Sequence, residues 1–405
     1  MSKVTIPDSI RVPYGMSVHG EEEIAAVNHV LHTSTQMGAH VREFERMVAR
    51  LFDKKHGVMV NSGSSALLLA AEILHLPPGS EVITPALTFA TTVSCLLKNH
   101  LVPVFVDVCE GTYCIDSDKV EALISPKTRA LCIPNLIGNI ANWDRLAQIA
   151  HCHNLRIIED SADTLGGTLN GRSSGHHSDI SITSFYGSHI INCAGNGGIL
   201  CVNDNELARR AKLLRSWGRS SSLFVESEAG ENRFNVKVDG IEYDAKFVFE
   251  AVGYNLEPSE LGAAFGLVQL QKLEDNIRAR SRHFEAQTAF FRQYEDWFVL
   301  PRQTPGSRTG WLAYPLTMRV GAPFKRRDLQ MFLEGRNIQT RVIFTGNITR
   351  QPGFIDAQKR MAPGGYPEAD KVMRGGILLA CHHGLTDAMM AHMHQSFEEF
   401  ANQYR

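Results

Sequence analysis

The chain has 405 residues, 43% of them hydrophobic and 21% charged, with a formal net charge of −2 from 41 basic and 43 acidic side chains. That length supports a large buried core, in one large and one smaller domain, and the near-neutral charge excludes the broad basic face that nucleic-acid binding needs. No apolar run approaches the roughly 20 residues that cross a bilayer, and Met1-Ser2-Lys3-Val4-Thr5-Ile6-Pro7 lacks the apolar stretch of a signal peptide, so a cytoplasmic protein without membrane contact is expected.

In chain order, residues 58–60 read as a strand leading into Ser62-Gly63-Ser64-Ser65 and then a helix over 66–74. Strands follow at 81–84, 103–108, 130–134, 156–159, 180–185 and 198–202, with amphipathic helices at 90–98 and 143–152 among them. This alternation predicts an α/β fold with a mostly parallel sheet, helices on both faces, and ligand sites at the carboxyl ends of the strands. A polar, glycine-containing stretch at 218–240 breaks the pattern and reads as a flap. Ser259, after Pro258, reads as the N-cap of a long helix reaching about residue 284. A smaller α/β unit follows, from 312–320, 325–335, 338–343 and 386–400. The expected division is a large domain over 1–285 and a small C-terminal domain over 286–405. The eight cysteines are scattered without a Cys-x-x-Cys pair, which suits reduced, buried thiols. His151-Cys152-His153, His176-His177 and Cys381-His382-His383 lack separated ligand pairs, so no metal is expected.

Several segments carry chemistry. Asn61-Ser62-Gly63-Ser64-Ser65-Ala66, between a strand and a helix, offers backbone N–H donors and hydroxyls suited to a phosphate. Ile157-Ile158-Glu159-Asp160-Ser161-Ala162-Asp163 puts acids at the end of an apolar strand. Ser184-Phe185-Tyr186-Gly187-Ser188-His189 runs on to Gly195-Asn196-Gly197-Gly198. Taken singly, these are ordinary caps, turn acids and a structural histidine.

Together they resemble the DegT/DnrJ/EryC1/StrS sugar aminotransferases, which use pyridoxal phosphate on the fold type I (aspartate aminotransferase-like) scaffold. The resemblance extends from about Tyr14 to the C-terminus. It implies that Ser64, Ser65 and Ser184 hold the cofactor phosphate, Asp160 faces the pyridine nitrogen, Asp163 lies near the ring oxygen and Phe89 stacks on the ring. In Gly253-Tyr254-Asn255-Leu256 it implies that Asn255 reaches the phosphate of a neighbouring subunit, hence a homodimer with shared active sites. The family places a cofactor-anchoring lysine after its Ser-Phe run, but here no lysine lies between Lys127 and Lys212, and His189 stands at that position. Imidazole cannot anchor the cofactor but can move protons near neutral pH.

Leu136-Ile137-Gly138-Asn139 and the segment from Arg341 to Pro352 resemble the nucleotide-sugar 3-dehydratases of this family, which act on 4-keto-6-deoxyhexoses. They imply Arg341 and Asn347 as substrate-binding residues. The implied activity is a dehydratase that uses pyridoxamine 5′-phosphate to remove the C3 hydroxyl, with His189 as the proton carrier. There are two departures. Asn196 stands where the family usually has glutamate. No cysteine follows Trp217-Gly218-Arg219 as far as Gly253, so no iron–sulfur cluster is expected, and glutamate is the implied amino donor. The alternatives are an aminotransferase-like enzyme, a dehydratase that depends on a reductase, and a non-catalytic cofactor-binding protein.

Overall fold

The central sheet is built from valine- and isoleucine-rich segments buried on both faces, the pattern of strands covered by helices above and below. Its strands are β1 (His56–Val60), β2 (Glu81–Pro85), β3 (Val102–Val106), β4 (Thr128–Pro134), β5 (Arg156–Asp160), β6 (Ile180–Ser184) and β7 (Gly198–Val202). They lie in the order β1-β7-β6-β5-β4-β2-β3. β7 runs antiparallel to both neighbours and the other pairings are parallel, so six strands share one direction. The computed structural model describes residues 10–224 and 230–404. The segment Met1 to Pro7 and part of the expected flap, 225–229, lie outside the described residues.

Helix α1 (Glu21–Thr33) packs on the later helix over Glu260–Gln271, while α2 (Ala39–Leu51), α3 (Gly63–Ile73), α4 (Ala90–Lys98), α5 (Trp143–Cys152) and α6 (Asn205–Arg215) cover this sheet. The excursion after α6 carries the short α7 (Gly230–Phe234) and a hairpin of Val236–Val238 with Ile241–Tyr243. Ser259 caps the next helix as expected, its hydroxyl accepting from Gly262 N at 3.3 Å. That helix is two: α8 (Glu260–Gln271) and α9 (Leu273–Phe291). α8 closes on a bond from Lys272 N to Gln269 O, while the Lys272 ammonium reaches back to Glu22 and Glu23 of α1.

The second sheet is antiparallel, in the order β8 (Phe298–Val299), β9 (Ala313–Met318), β10 (Gly376–Ala380). It packs with α10 (Arg326–Gly335), α11 (Pro367–Gly375) and α12 (Asp387–Ala401). Residues 338–343 form no strand; two isolated bridges, Val12 with Ile338 and Arg341 with Leu378, tie this segment in. Asn337 (φ 63°) and Phe344 (φ 42°) turn the backbone left-handed on either side and stop it extending.

One apolar cluster joins Phe284, Phe291 and Trp311 to Val12, Leu87 and Ile137 of the larger unit. The expected boundary near residue 285 therefore falls inside α9, which anchors both units. Among the described residues no helix is long and apolar enough to cross a membrane. Nor is any group of three or more His, Cys, Asp or Glu arranged to hold a metal ion.

Candidate active site

A cavity of about 330 Å³ opens at the carboxyl ends of the parallel strands. Ser62, Gly63 and Ser64 reach it from the turn after β1, and Phe89 and Thr92 from beyond β2. Asn135 and Leu136 follow β4, Asp160 and Asp163 end β5, and Ser184 and His189 end β6. Tyr14, Leu312 and Phe344 close the remaining wall.

One end is a cradle. Ser62 caps α3, its hydroxyl accepting from Ser65 N at 3.1 Å. A Cβ at Gly63 would lie 2.6 Å from Ser184 Cβ, and one at Gly198 would lie 2.2 Å from the Ser62 carbonyl carbon. Only glycine lets the three strand ends approach this closely. They bring the start of α3, Ser64 and Ser184 onto one wall, an arrangement suited to an anion. Ser65 turns away and donates to Asn61 Oδ1 at 2.6 Å. Ser62, which serves as the cap, lines the cavity instead.

At the other end are two buried acids. Asp160 accepts from Thr92 Oγ1 at 2.8 Å and from Ala162 N at 3.2 Å. Burial raises its pKa to about 6, with the neighbouring Glu159 carboxylate adding to the shift. Asp163 accepts from Ile137 N at 2.9 Å and is pushed up to about 7 by burial and by Asp160. Ile137 holds that N–H in a left-handed backbone (φ 61°), a strained state for a β-branched residue. Phe89, half exposed, meets Phe344 edge-on at 5.9 Å.

His189 lies between these features. Its Nδ1 sits 3.1 Å from the Ser184 carbonyl, which can only accept, so the ring proton is on Nδ1. Nε2 therefore carries the lone pair, 3.9 Å from Asp163 Oδ1. Burial lowers the ring's pKa to about 4, and the charge of Arg280 pushes the same way. No lysine lines the cavity.

Three expected residues lie off it. Asn255 is exposed, in a bridge with Ser216. Arg341 is exposed as well, its guanidinium 5.5 Å above the Tyr14 ring at the cavity's edge. Asn347 is 2% exposed and its amide is committed: Nδ2 donates to Asp370 at 2.8 Å, and Oδ1 accepts from Thr349 N and Oγ1. It borders a separate open cleft of about 1200 Å³ beside α11 and not the cavity that holds His189.

A pyridoxal-type cofactor fits the donor set. The glycine-lined cradle suits its phosphate, buried Asp160 its ring nitrogen, and Phe89 its ring face. A model of the DegT/DnrJ/EryC1/StrS aminotransferase family matches residues 17–398. The chain belongs to this family. It is similar to the dTDP-4-dehydro-2,6-dideoxy-D-glucose 3-dehydratase of Saccharopolyspora spinosa, 36% identical over 400 residues, which are 96% of this chain and 86% of that relative. It is also similar to the GDP-perosamine synthase of Caulobacter vibrioides, 28% identical over 354 residues, 87% of this chain and 88% of the relative. Among solved structures, the E. coli GDP-4-keto-6-deoxy-D-mannose-3-dehydratase with bound hydrated PLP superposes with a TM-score of 0.87 at 25% identity, over 96% of this chain and 99% of that one. The chain thus has the fold of the family's pyridoxal-phosphate enzymes.

Within the family site, sequence reasoning passed over Tyr14, Leu312 and Phe344. They come from distant segments and meet only in the fold. Asn196 is exposed and lines the cavity.

Proposed function

We propose that this protein is a pyridoxamine-phosphate-dependent dehydratase that removes the C3 hydroxyl of a nucleotide-linked 4-keto-6-deoxyhexose and uses glutamate to restore the amine. The observation that carries this reading is the imidazole at 189. Its Nδ1 proton is committed to Ser184, its Nε2 lone pair faces the cavity, and no lysine stands nearby. When bound, the cofactor supplies an amine for the ketone and a ring that accepts electron density.

The chain's own residues divide the remaining work. The start of α3 with Ser64 and Ser184 holds the phosphate. Asp160 keeps a proton on the ring nitrogen, and Phe89 covers the ring face. His189 Nε2 takes a proton from carbon and, having become an acid, returns it to the departing hydroxyl. Arg341, above Tyr14 at the rim, is placed for the anionic end of the substrate. Asn255, outside its own chain's cavity, is available to the cavity of a second copy.

The test is mass spectrometry of the product formed from a panel of nucleotide-4-keto-6-deoxysugars with pyridoxamine phosphate and glutamate, without a reductase. Loss of the C3 oxygen together with formation of 2-oxoglutarate is expected. An amino sugar that keeps its C3 hydroxyl would overturn the reading in favour of transamination, the chemistry of the perosamine-synthase relatives.

A further inference from the structure

The structure assigns a positioning role to Arg280 of α9: its guanidinium clamps the main chain of His189 and sets a fixed positive charge behind the imidazole, which selects the uncharged ring with Nε2 open to a proton. The inference rests on the reading of His189 as the proton carrier.

Arg280 is fully buried. Nη2 donates to the His189 carbonyl at 3.1 Å, and Nη1 donates to the carbonyls of Trp311 and Leu312, both at 3.0 Å. Nε donates to His383 Nδ1 at 3.3 Å. All four acceptors are neutral. Among the described residues no carboxylate lies within ion-pair distance of this guanidinium. A buried cation without a paired acid is costly, and such a cation projects its charge through a poorly screened interior. The same fork joins the His189 loop to the Trp311–Leu312 segment, so the base and part of the cavity wall are fixed by one side chain.

The other ionisable groups around the imidazole do not cancel this charge. Asp163 and Asp160 face it from the end of β5, Tyr14 from the N-terminal segment with Arg341 above it, and Tyr186 from its own loop. Behind Arg280 lie Cys381, His382, His383 and His283. Asp163 is the acid nearest Nε2, but with its pKa near 7 it is protonated over most of the range in which an imidazole ordinarily charges. Arg280 stays charged throughout, although burial draws its pKa down to about 10. Burial is the larger cause that keeps the base neutral at pH values where a solvated histidine would carry a proton, and the Arg280 charge adds to it.

The test compares Arg280→Gln and Arg280→Lys. The readout is the protonation midpoint of the His189 imidazole, followed by ¹⁵N NMR in the cofactor-free protein and assigned with His189→Asn. Arg280→Gln is expected to raise the midpoint by roughly half a pH unit or more, about threefold in proton affinity. The acid limb of kcat/KM in the loaded enzyme should move with it. Arg280→Lys keeps the charge but loses the fork, so it is expected to hold the midpoint while kcat falls. A folded Arg280→Gln with an unmoved midpoint would overturn the inference. If that variant does not fold, a midpoint in Arg280→Lys that rises to the ordinary histidine value would do so. The midpoint is independent of turnover, so failure of the dehydratase reading would show separately, as a different product from the wild-type enzyme.

Discussion

At the scale of single residues, the direction of one hydrogen bond decides what His189 can do. The Ser184 carbonyl fixes the ring proton on Nδ1 and leaves Nε2 to accept. His189→Asn is expected to lower kcat by about 10²- to 10⁴-fold, the range for loss of a positioned base. Steady-state kinetics read this, and an unchanged kcat would remove His189 from the role. Asp160 makes a second prediction, about stability. Burial lifts its pKa from an ordinary 3.8 to about 6. An acid whose folded pKa lies above its unfolded one contributes stability that is full below the unfolded pKa and is lost as pH rises through the folded one. Across that window the cofactor-free protein is expected to lose roughly 3 kcal/mol through this group. Asp160→Asn should remove this share of the dependence and leave the share of Asp163, and denaturation midpoints of the two cofactor-free proteins between about pH 4 and pH 8 check it. Parallel curves would show that Asp160 ionises without this penalty. That Asp160, Asp163, Ser184 and His189 share one cavity was legible because each stands at or just past the end of an apolar strand. That Ser65 and Asn347 lie off it was not, because local partners, Asn61 and Asp370, decide which way a hydroxyl or amide turns, and no spacing encodes that.

At the scale of elements, the site depends on how closely three strand ends approach the start of α3. Gly63 is the tightest constraint the cradle places on a helix residue, since its added Cβ would meet Ser184 at 2.6 Å. Gly63→Ala should push α3 away from β6 and spread the cradle. The expected result is a cofactor affinity at least about tenfold weaker, or 1.4 kcal/mol, without loss of the fold. Fluorescence titration with pyridoxamine phosphate measures it, and unchanged affinity would mean the phosphate is held elsewhere. The strands themselves were readable to within a few residues, because β-branched runs buried on both faces leave little choice of element. The break between α8 and α9 was not readable, since it reflects Lys272 reaching back to Glu22 and Glu23 across the tertiary fold. The segment 338–343 pairs only through isolated bridges, because the left-handed backbone at Asn337 and Phe344 closes both ends.

At the scale of the whole molecule, the described part of the excursion after α6 carries exposed apolar side chains. Phe234, Ile241, Phe247, Phe249 and Val252 are each more than half exposed within one stretch of chain. Apolar surface gathered in this way marks an interaction site. Exposed Asn255 follows directly, so an interface built on this face would bury it too. If two copies meet here and each lends Asn255 to the other's cradle, His189→Asn and Asn255→Ala lie in different halves of each site. Each variant alone should be nearly inactive, since both of its sites are damaged. In a mixed dimer one site carries both changes and the other carries neither. Unfolding and refolding the two variants together in equal amounts should therefore restore about a quarter of wild-type activity, because half of the dimers are mixed and each has one intact site. Phe247→Asp with Phe249→Asp should abolish the recovery and shift the protein to monomer in sedimentation analysis. Recovery must come from an intact site assembled across two chains, since neither variant contains one. Mixtures no more active than the separate variants, at concentrations where sedimentation shows dimers, would mean that each chain builds its site alone and that Asn255 does not act across the interface.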